Sequence, residues 1–227
     1  MGEFVFDIHH NNYEMDYNLF HEEHIAAMDS RSRAAFINSL SGFKSASLIG
    51  TVDSAGNPNL AVFSSVVHIG SNPALIGFIN RPDSTSRHTL ENILQTRFFT
   101  INHINSEIFK EAHQTSARYP REISEFEATG LTAQYSALLP APYVAESKIR
   151  YGLSFEERYD LPINGTILII GKVVEVFVPA DCLLPHGAID VEKAASVAIS
   201  GLDAYHSTRQ LARLSYAKPD KWPEEIG

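Results

Sequence analysis

Cysteine is almost absent from this 227-residue chain. The single thiol, Cys182, excludes an intramolecular disulfide and with it the small stapled folds of secreted domains. A lone thiol fits a reducing cytoplasm, where the sequence places the protein, and its neighbours Leu183 and Leu184 suit a buried apolar thiol rather than a nucleophile. Long hydrophobic runs are also missing. No apolar stretch approaches the ~20 residues that span a bilayer, and MGEFVFDIHHNN lacks the basic and apolar regions of a signal peptide. Positive charge is in deficit: 18 Lys and Arg against 27 Asp and Glu give a formal charge of −9, which argues against a broad nucleic-acid surface. The Walker A, Rossmann glycine, G-x-S-x-G and zinc-protease signatures are lacking. Histidine does not fill the gap. His9, His10, His21 and His24 are scattered through a polar segment without ligand spacing, so no metal is expected. His68, His103, His113, His186 and His206 are each isolated and take no assignable acid–base role.

What is present is a globular composition, 44% hydrophobic and 20% charged, in a chain long enough to bury a core without staples. RSRAAFINSLSGF (31–43) sets Ala34, Phe36, Ile37 and Leu40 on one face of an amphipathic helix that Gly42 stops. Strands are then expected at 45–52 and 59–67, paired as a hairpin through the turn-rich DSAGNP, and an apolar central strand at 73–80. A helix at 86–95, a strand at 98–102 and a helix at 106–115 follow. Residues 116–147 read as loop and short extended pieces, an excursion over a binding site. Two long strands, 148–159 and 166–178, are joined through LPING. With no repeat and no linker, the pattern is a single β-rich domain with a few helices, compatible with a barrel of antiparallel strands.

The stretch from Asn57 to Ile93 carries the chemistry. A helix start favours acidic residues, because its dipole presents partial positive charge there. This one instead offers Arg81, Arg87 and His88 among the hydroxyls of Ser84, Ser86 and Thr89. Cations and hydroxyls at that position, with the free N–H groups of the first turn, suit a phosphate. Ordinary capping by the hydroxyls with solvated cations explains the same residues, and both readings stay open on the residues alone. Ser64 and Ser65, beside Phe63, and Ser45 and Ser47 on the neighbouring strand stand out because serine is disfavoured in strands. Small polar side chains on two adjacent strands either relieve crowding or leave room for a flat heteroaromatic ring such as a flavin.

The order AGNPN (55–59), FSSV (63–66), SNP (71–73), LIGFINR (75–81), HTLENI (88–93), IIGKVVEV (169–176) and RLSYAKP (213–219) resembles the flavin reductase-like proteins of the FMN-binding split barrel superfamily. The likeness spans 31–219, leaving 1–30 as an N-terminal arm and 220–227 as a tail. It implies a mainly β fold with peripheral helices, a six-stranded antiparallel Greek-key barrel. It further implies a homodimer with FMN near the dimer interface. Electrons would pass from NADH or NADPH to the flavin, or onward to a monooxygenase or other redox partner. By position, the 45–48 and 61–66 strands, with Ser45, Ser47, Phe63, Ser64 and Ser65, would line the ring and ribityl chain. Asn80 and Arg81 would lie near the ribityl or phosphate, and Ser86, Arg87 and Thr89 would hold the phosphate. Chemistry carried by a cofactor needs no side-chain nucleophile or base, so no catalytic residue is expected. The other readings are a non-catalytic flavin carrier or electron-transfer protein and, on the same barrel, a site for pyridoxal phosphate or haem.

Overall fold

The structure, a computed structural model, describes residues 17–82 and 88–226. In chain order its helices are α1 (Glu22–Ala27), α2 (Ser30–Leu40), α3 (His88–Thr96), α4 (Phe109–Gln114) and α5 (Glu125–Thr129). Its strands are β1 (Lys44–Ser45), β2 (Ser47–Val52), β3 (Pro58–Phe63), β4 (Val67–Ser71), β5 (Ala74–Asn80), β6 (Phe98–His103), β7 (Ala133–Gln134), β8 (Tyr143–Val144), β9 (Arg150–Leu161), β10 (Thr166–Phe177), β11 (Val197–Ser200) and β12 (Ala204–Ser207).

Seven strands form the principal sheet in the order β3-β2-β6-β9-β10-β5-β4, every neighbouring pair antiparallel. Its two edges are consecutive in the chain, since only residues 64–66 separate β3 from β4. Laid flat, seven strands would hold their edges about 29 Å apart, whereas the chain from Phe63 to Val67 reaches only about 14 Å. The sheet must therefore curl until its edges approach. Ser65 makes the junction: its hydroxyl donates to the Ile79 carbonyl at 3.0 Å and accepts from the Ile79 N–H at 3.1 Å. Register shifts in the β9–β10 ladder at Ile170/Gly171 and Val173/Glu175 supply local bends.

Burial follows the curl. β2 is buried along its whole length because both of its faces are covered. Ile49 joins Phe78, Ile93, Phe99, Ile101, Leu153 and Ile169 in one cluster. Its neighbour Leu48 points the other way, toward Leu60, Ile104, Ala112, Phe126 and Val144. A second sheet, β1-β11-β12, flanks the entrance to β2. Cys182 is buried with Ile149 and Ala194, and burial raises its thiol pKa, in line with the apolar setting read from the sequence.

Several expectations need correction. The principal sheet has seven strands where six were expected; the expected 59–67 strand breaks after Phe63, and β4 is a separate strand beyond it. β11 and β12 fall in a C-terminal part where helical or irregular structure, and no strand, is expected from the sequence, and α1 lies inside the segment read as an N-terminal arm. The 116–147 stretch contains α5, β7 and β8. Its Leu139, Ala141 and Tyr143 are buried, and the Pro142 carbonyl accepts from the Thr100 hydroxyl at 2.6 Å, so this part is packed into the body of the barrel. α2 begins one residue early, capped by Asp29 accepting from Arg31 and Ser32, and no residue of it is buried. Its apolar stripe, expected to face the core, leaves Ile37 45% and Leu40 66% exposed.

Candidate functional site

The sheet register collects the strand serines at one end of the barrel. Ser47 on β2 stands opposite Phe63 on β3, and two residues beyond Phe63 the chain reaches Ser65, bonded to Ile79 just before Asn80. Ser45, the last residue of β1 and two residues before β2 begins, donates to the Val66 carbonyl at 3.2 Å. Ser45, Ser47, Phe63, Ser64, Ser65 and Asn80 thus share one rim although the sequence spreads them over 36 positions. Phe63 turns its ring inward onto Phe78, with centroids 5.0 Å apart. Both of these Ser65 bonds serve barrel closure, so its hydroxyl is a structural clasp. Asn80 is buried and donates to the carbonyl of Arg81, whose own side chain is exposed.

A cleft of about 260 Å³ opens at this rim, lined by residues 43–47, His103, Val191, residues 196–198 and Thr208. At it stands His103, bonded through Nδ1 to the Ser196 hydroxyl at 3.1 Å and edge-on to the Tyr151 ring. Burial holds the His103 pKa down at about 4, so the imidazole is neutral at physiological pH. Burial likewise pushes the Tyr151 hydroxyl well above the ordinary phenol range. Lys44, at the same rim, donates to the carbonyls of Asn38 and Gly201. Its pKa is lowered, first by burial and then by the positive charge of Arg81. Lys44 and Arg81 are thus close enough for their charges to repel, in a chain of net charge −9.

Thr89 behaves differently. It is buried, and its hydroxyl accepts from Asn59 Nδ2 at 3.2 Å. The same Asn59 amide donates to the Thr51 hydroxyl, which also accepts from Asn92 Nδ2 at 3.1 Å. Thr51 and Asn59 pair four residues along the hairpin from Ser47 and Phe63, about 13 Å away. The structure therefore does not bring the Thr89 hydroxyl to the serine rim. Thr89→Val is accordingly expected to cost about 1–2 kcal/mol of stability by leaving a buried amide short of a partner. Urea unfolding checks this, and ligand affinity at the rim should change less than twofold. Ser86 and Arg87 lie outside the described residues.

A second polar pocket, of only about 10 Å³, sits at the start of α3, lined by Asp53, Asn57, Asn59, His88, Arg121 and Glu125 among others. Arg121 pairs with Glu91 at 2.6 Å, and Glu125 accepts from the Leu60 N–H at 2.9 Å with its pKa raised by burial. It holds no more than a water, and the larger cleft is the candidate site. Sequence reasoning passed over two residues of that cleft. Lys44 precedes the first serine with no pattern to mark it. His103 was visible but isolated, since its partner Ser196 lies 93 positions away. Among the described residues no group of three His, Cys, Asp or Glu could hold a metal, and no helix is long and apolar enough to cross a membrane.

The flavin reductase like domain model matches residues 40–189. The chain is similar to a structure from Shewanella frigidimarina NCIMB 400 assigned as a flavin reductase with a split barrel domain. The two are 53% identical with a TM-score of 0.86, over 88% of this chain and 100% of that one. It shares its fold with nitrilotriacetate monooxygenase component B from Bacillus cereus, 20% identical with a TM-score of 0.75, over 90% of this chain and 100% of that one. It also shares it with the FMN-binding protein from Thermus thermophilus solved with bound 1-cyclohex-2-enone. That pair is 16% identical with a TM-score of 0.60, over 72% of this chain and 85% of the other.

Proposed function

The chain belongs to the flavin reductase-like domain family and has its split-barrel fold, and from that premise we propose that it is an oxidoreductase that binds FMN at the serine rim and accepts electrons from NADH or NADPH. The observation that carries the assignment to this place is the cleft of about 260 Å³ with Lys44 in its lining, a cation whose pKa is lowered by burial and then by the positive charge of Arg81. That volume lies just under the ~300 Å³ lower range of small-molecule pockets. It has room for a flat ring, with the ribityl phosphate running out along the rim. When bound, the flavin supplies the two-electron chemistry.

The chain's own part is to bind and orient. Ser45 and Ser47 stand at the cleft, with Phe63 and Ser64 beside them at the barrel's end. Neutral His103 offers the ring one hydrogen bond without adding charge, which leaves the electrostatics to Lys44 and Arg81. Arg81 and Asn80 lead into the 83–89 segment, and in this reading Arg87, Ser86 and the backbone of Thr89 complete the phosphate cradle. Reduced flavin would then serve a monooxygenase or other redox partner.

Two measurements test the reading. Purified protein titrated with FMN should quench flavin fluorescence at a stoichiometry of one, and protein that takes up no flavin would sink the proposal. Arg81→Ala combined with Arg87→Ala is expected to weaken FMN about 10- to 100-fold, the worth of one or two charge-assisted hydrogen bonds. Riboflavin, which lacks the phosphate, should lose almost nothing. Rapid bleaching of bound flavin by NADH or NADPH in stopped flow supports turnover. A flavin that binds but is not bleached by either leaves a carrier or electron-transfer protein.

A further inference from the structure

Ser47 on β2 and His103 on β6 stand opposite one another in the sheet, and both line the cleft. Ser47 is only 2% exposed, yet its hydroxyl has no hydrogen-bond partner among the described residues. His103 uses one ring nitrogen of two. Its Nδ1 meets the Ser196 hydroxyl at 3.1 Å, while Nε2 has no partner among the described residues. Polar atoms at such depth are paired as a rule, by protein, water or ligand.

The polar groups of the cleft share a property. Ser45, Ser47, Ser196 and Thr208 carry hydroxyls, which both donate and accept. His103 carries a ring that burial keeps neutral, with one nitrogen of each kind. No carboxylate and no guanidinium lies among the described lining residues. Lys44, a donor only, directs its ammonium to the carbonyls of Asn38 and Gly201. The bond between His103 and Ser196 can therefore run either way. When the hydroxyl donates to Nδ1, Nε2 carries the proton and donates to a ligand. When Nδ1–H donates to the hydroxyl, Nε2 is bare and accepts. Both arrangements have the same charge and the same number of hydrogen bonds.

An isoalloxazine edge changes in the matching sense. On two-electron reduction a ring nitrogen that could only accept becomes an N–H. A fixed donor holds the oxidised form better, and a fixed acceptor the reduced form. Resting on the FMN reading above, we propose that His103 and Ser196 are a tautomeric adapter, a positioning pair that offers Nε2–H to the oxidised flavin and bare Nε2 to the reduced one. The change takes one proton off Nε2, places one on Nδ1 by exchange with water, and turns the Ser196 hydroxyl from donor to acceptor. The pair's charge and proton count are unchanged, so the electrons that reduce the flavin come from the nicotinamide alone.

Protein labelled with ¹⁵N-histidine reports the tautomer directly, because protonated and bare ring nitrogens resonate far apart. The His103→Gln variant identifies the His103 signals, and the probe is FMN, oxidised or reduced with dithionite. His103 should carry its proton on Nε2 in the oxidised complex and on Nδ1 in the reduced one. Ser196→Ala removes the acceptor that Nδ1–H needs, so it should hold the Nε2–H form in both states. The ratio of its reduced to oxidised FMN affinity should then fall about tenfold, which lowers the midpoint potential by about 30 mV. Ser196→Thr, which keeps the hydroxyl, should restore the ratio. Protein that takes up no FMN overturns the site reading and the adapter with it. FMN that binds while His103 keeps one tautomer in both states, or is doubly protonated, overturns the adapter and leaves that reading standing. So does a Ser196→Ala variant with the wild-type affinity ratio.

Discussion

Gly50→Ala is expected to destabilise the protein by about 3 kcal/mol or more, seen as a lowered denaturation midpoint at unchanged slope. A Cβ at this position would stand 2.2 Å from the Pro142 carbonyl oxygen and 2.6 Å from Thr100 Oγ1. Neither neighbour can yield. The Thr100 hydroxyl donates to that same carbonyl, and Pro142 is held from its other side where the Val144 N–H donates to Asn102 Oδ1. Asn102 in turn donates through Nδ2 to the Leu48 carbonyl at 3.2 Å and to Thr100 Oγ1 at 3.0 Å. One methyl group would therefore push the buried 141–144 strap off β2 and β6 and open a connected set of hydrogen bonds. A variant with wild-type stability would show that the strap is not seated as described.

The second large effect is in the pH dependence of stability. An unfolded histidine titrates near 6.5, while burial holds His103 at about 4 in the folded protein. Between those values the unfolded chain takes up a proton that the folded chain refuses. The stabilisation is therefore complete above pH ~6.5 and is lost as the pH falls toward 4, by roughly 3 kcal/mol in all. Glu125 has the opposite sign. Its pKa is raised by burial, so its contribution is present below the usual carboxylate pKa and is lost as pH rises through its folded value. His103→Gln keeps an amide within reach of Ser196 but cannot be protonated. Its urea stability measured at pH 7 and at pH 4.5 should differ by about 2 kcal/mol less than that of wild type. If the two proteins lose stability in parallel, His103 is not the group responsible. Because the imidazole stays neutral from pH 5 upward, flavin affinity should show no His103-dependent step between pH 5 and 8.

Much of this was legible in the residues because it depends on local order. The alternation and β-branched content of 166–178 mark β10, and its partner β9 follows once LPING supplies the turn. The hydroxyl and basic residues between Asn57 and Ile93 pointed to one anion-binding region, and the serines of two paired strands do gather at one rim. β4 was missed because a three-residue break after Phe63 carries the chain across the barrel seam, and nothing in FSSV distinguishes a seam from a continuous strand. Lys44 and His103 escaped for a related reason. Each acquires its setting from a residue far off in sequence, Gly201 for one and Ser196 for the other.

Residue order by itself determined the class of fold and the strand hairpins, and it marked the Asn57 to Ile93 stretch as the candidate for holding an anionic cofactor. Those follow from the period of apolar positions and from turn chemistry, which act over a few residues. Only the tertiary structure decided that Ser65 closes the barrel, that the Thr89 hydroxyl serves Asn59 instead of the rim, and that His103 is neutral. It also decided that Ile37 and Leu40 of α2 are exposed. Burial and the direction of a side chain depend on what packs against it, and that packing is set by strands that meet only when the sheet curls.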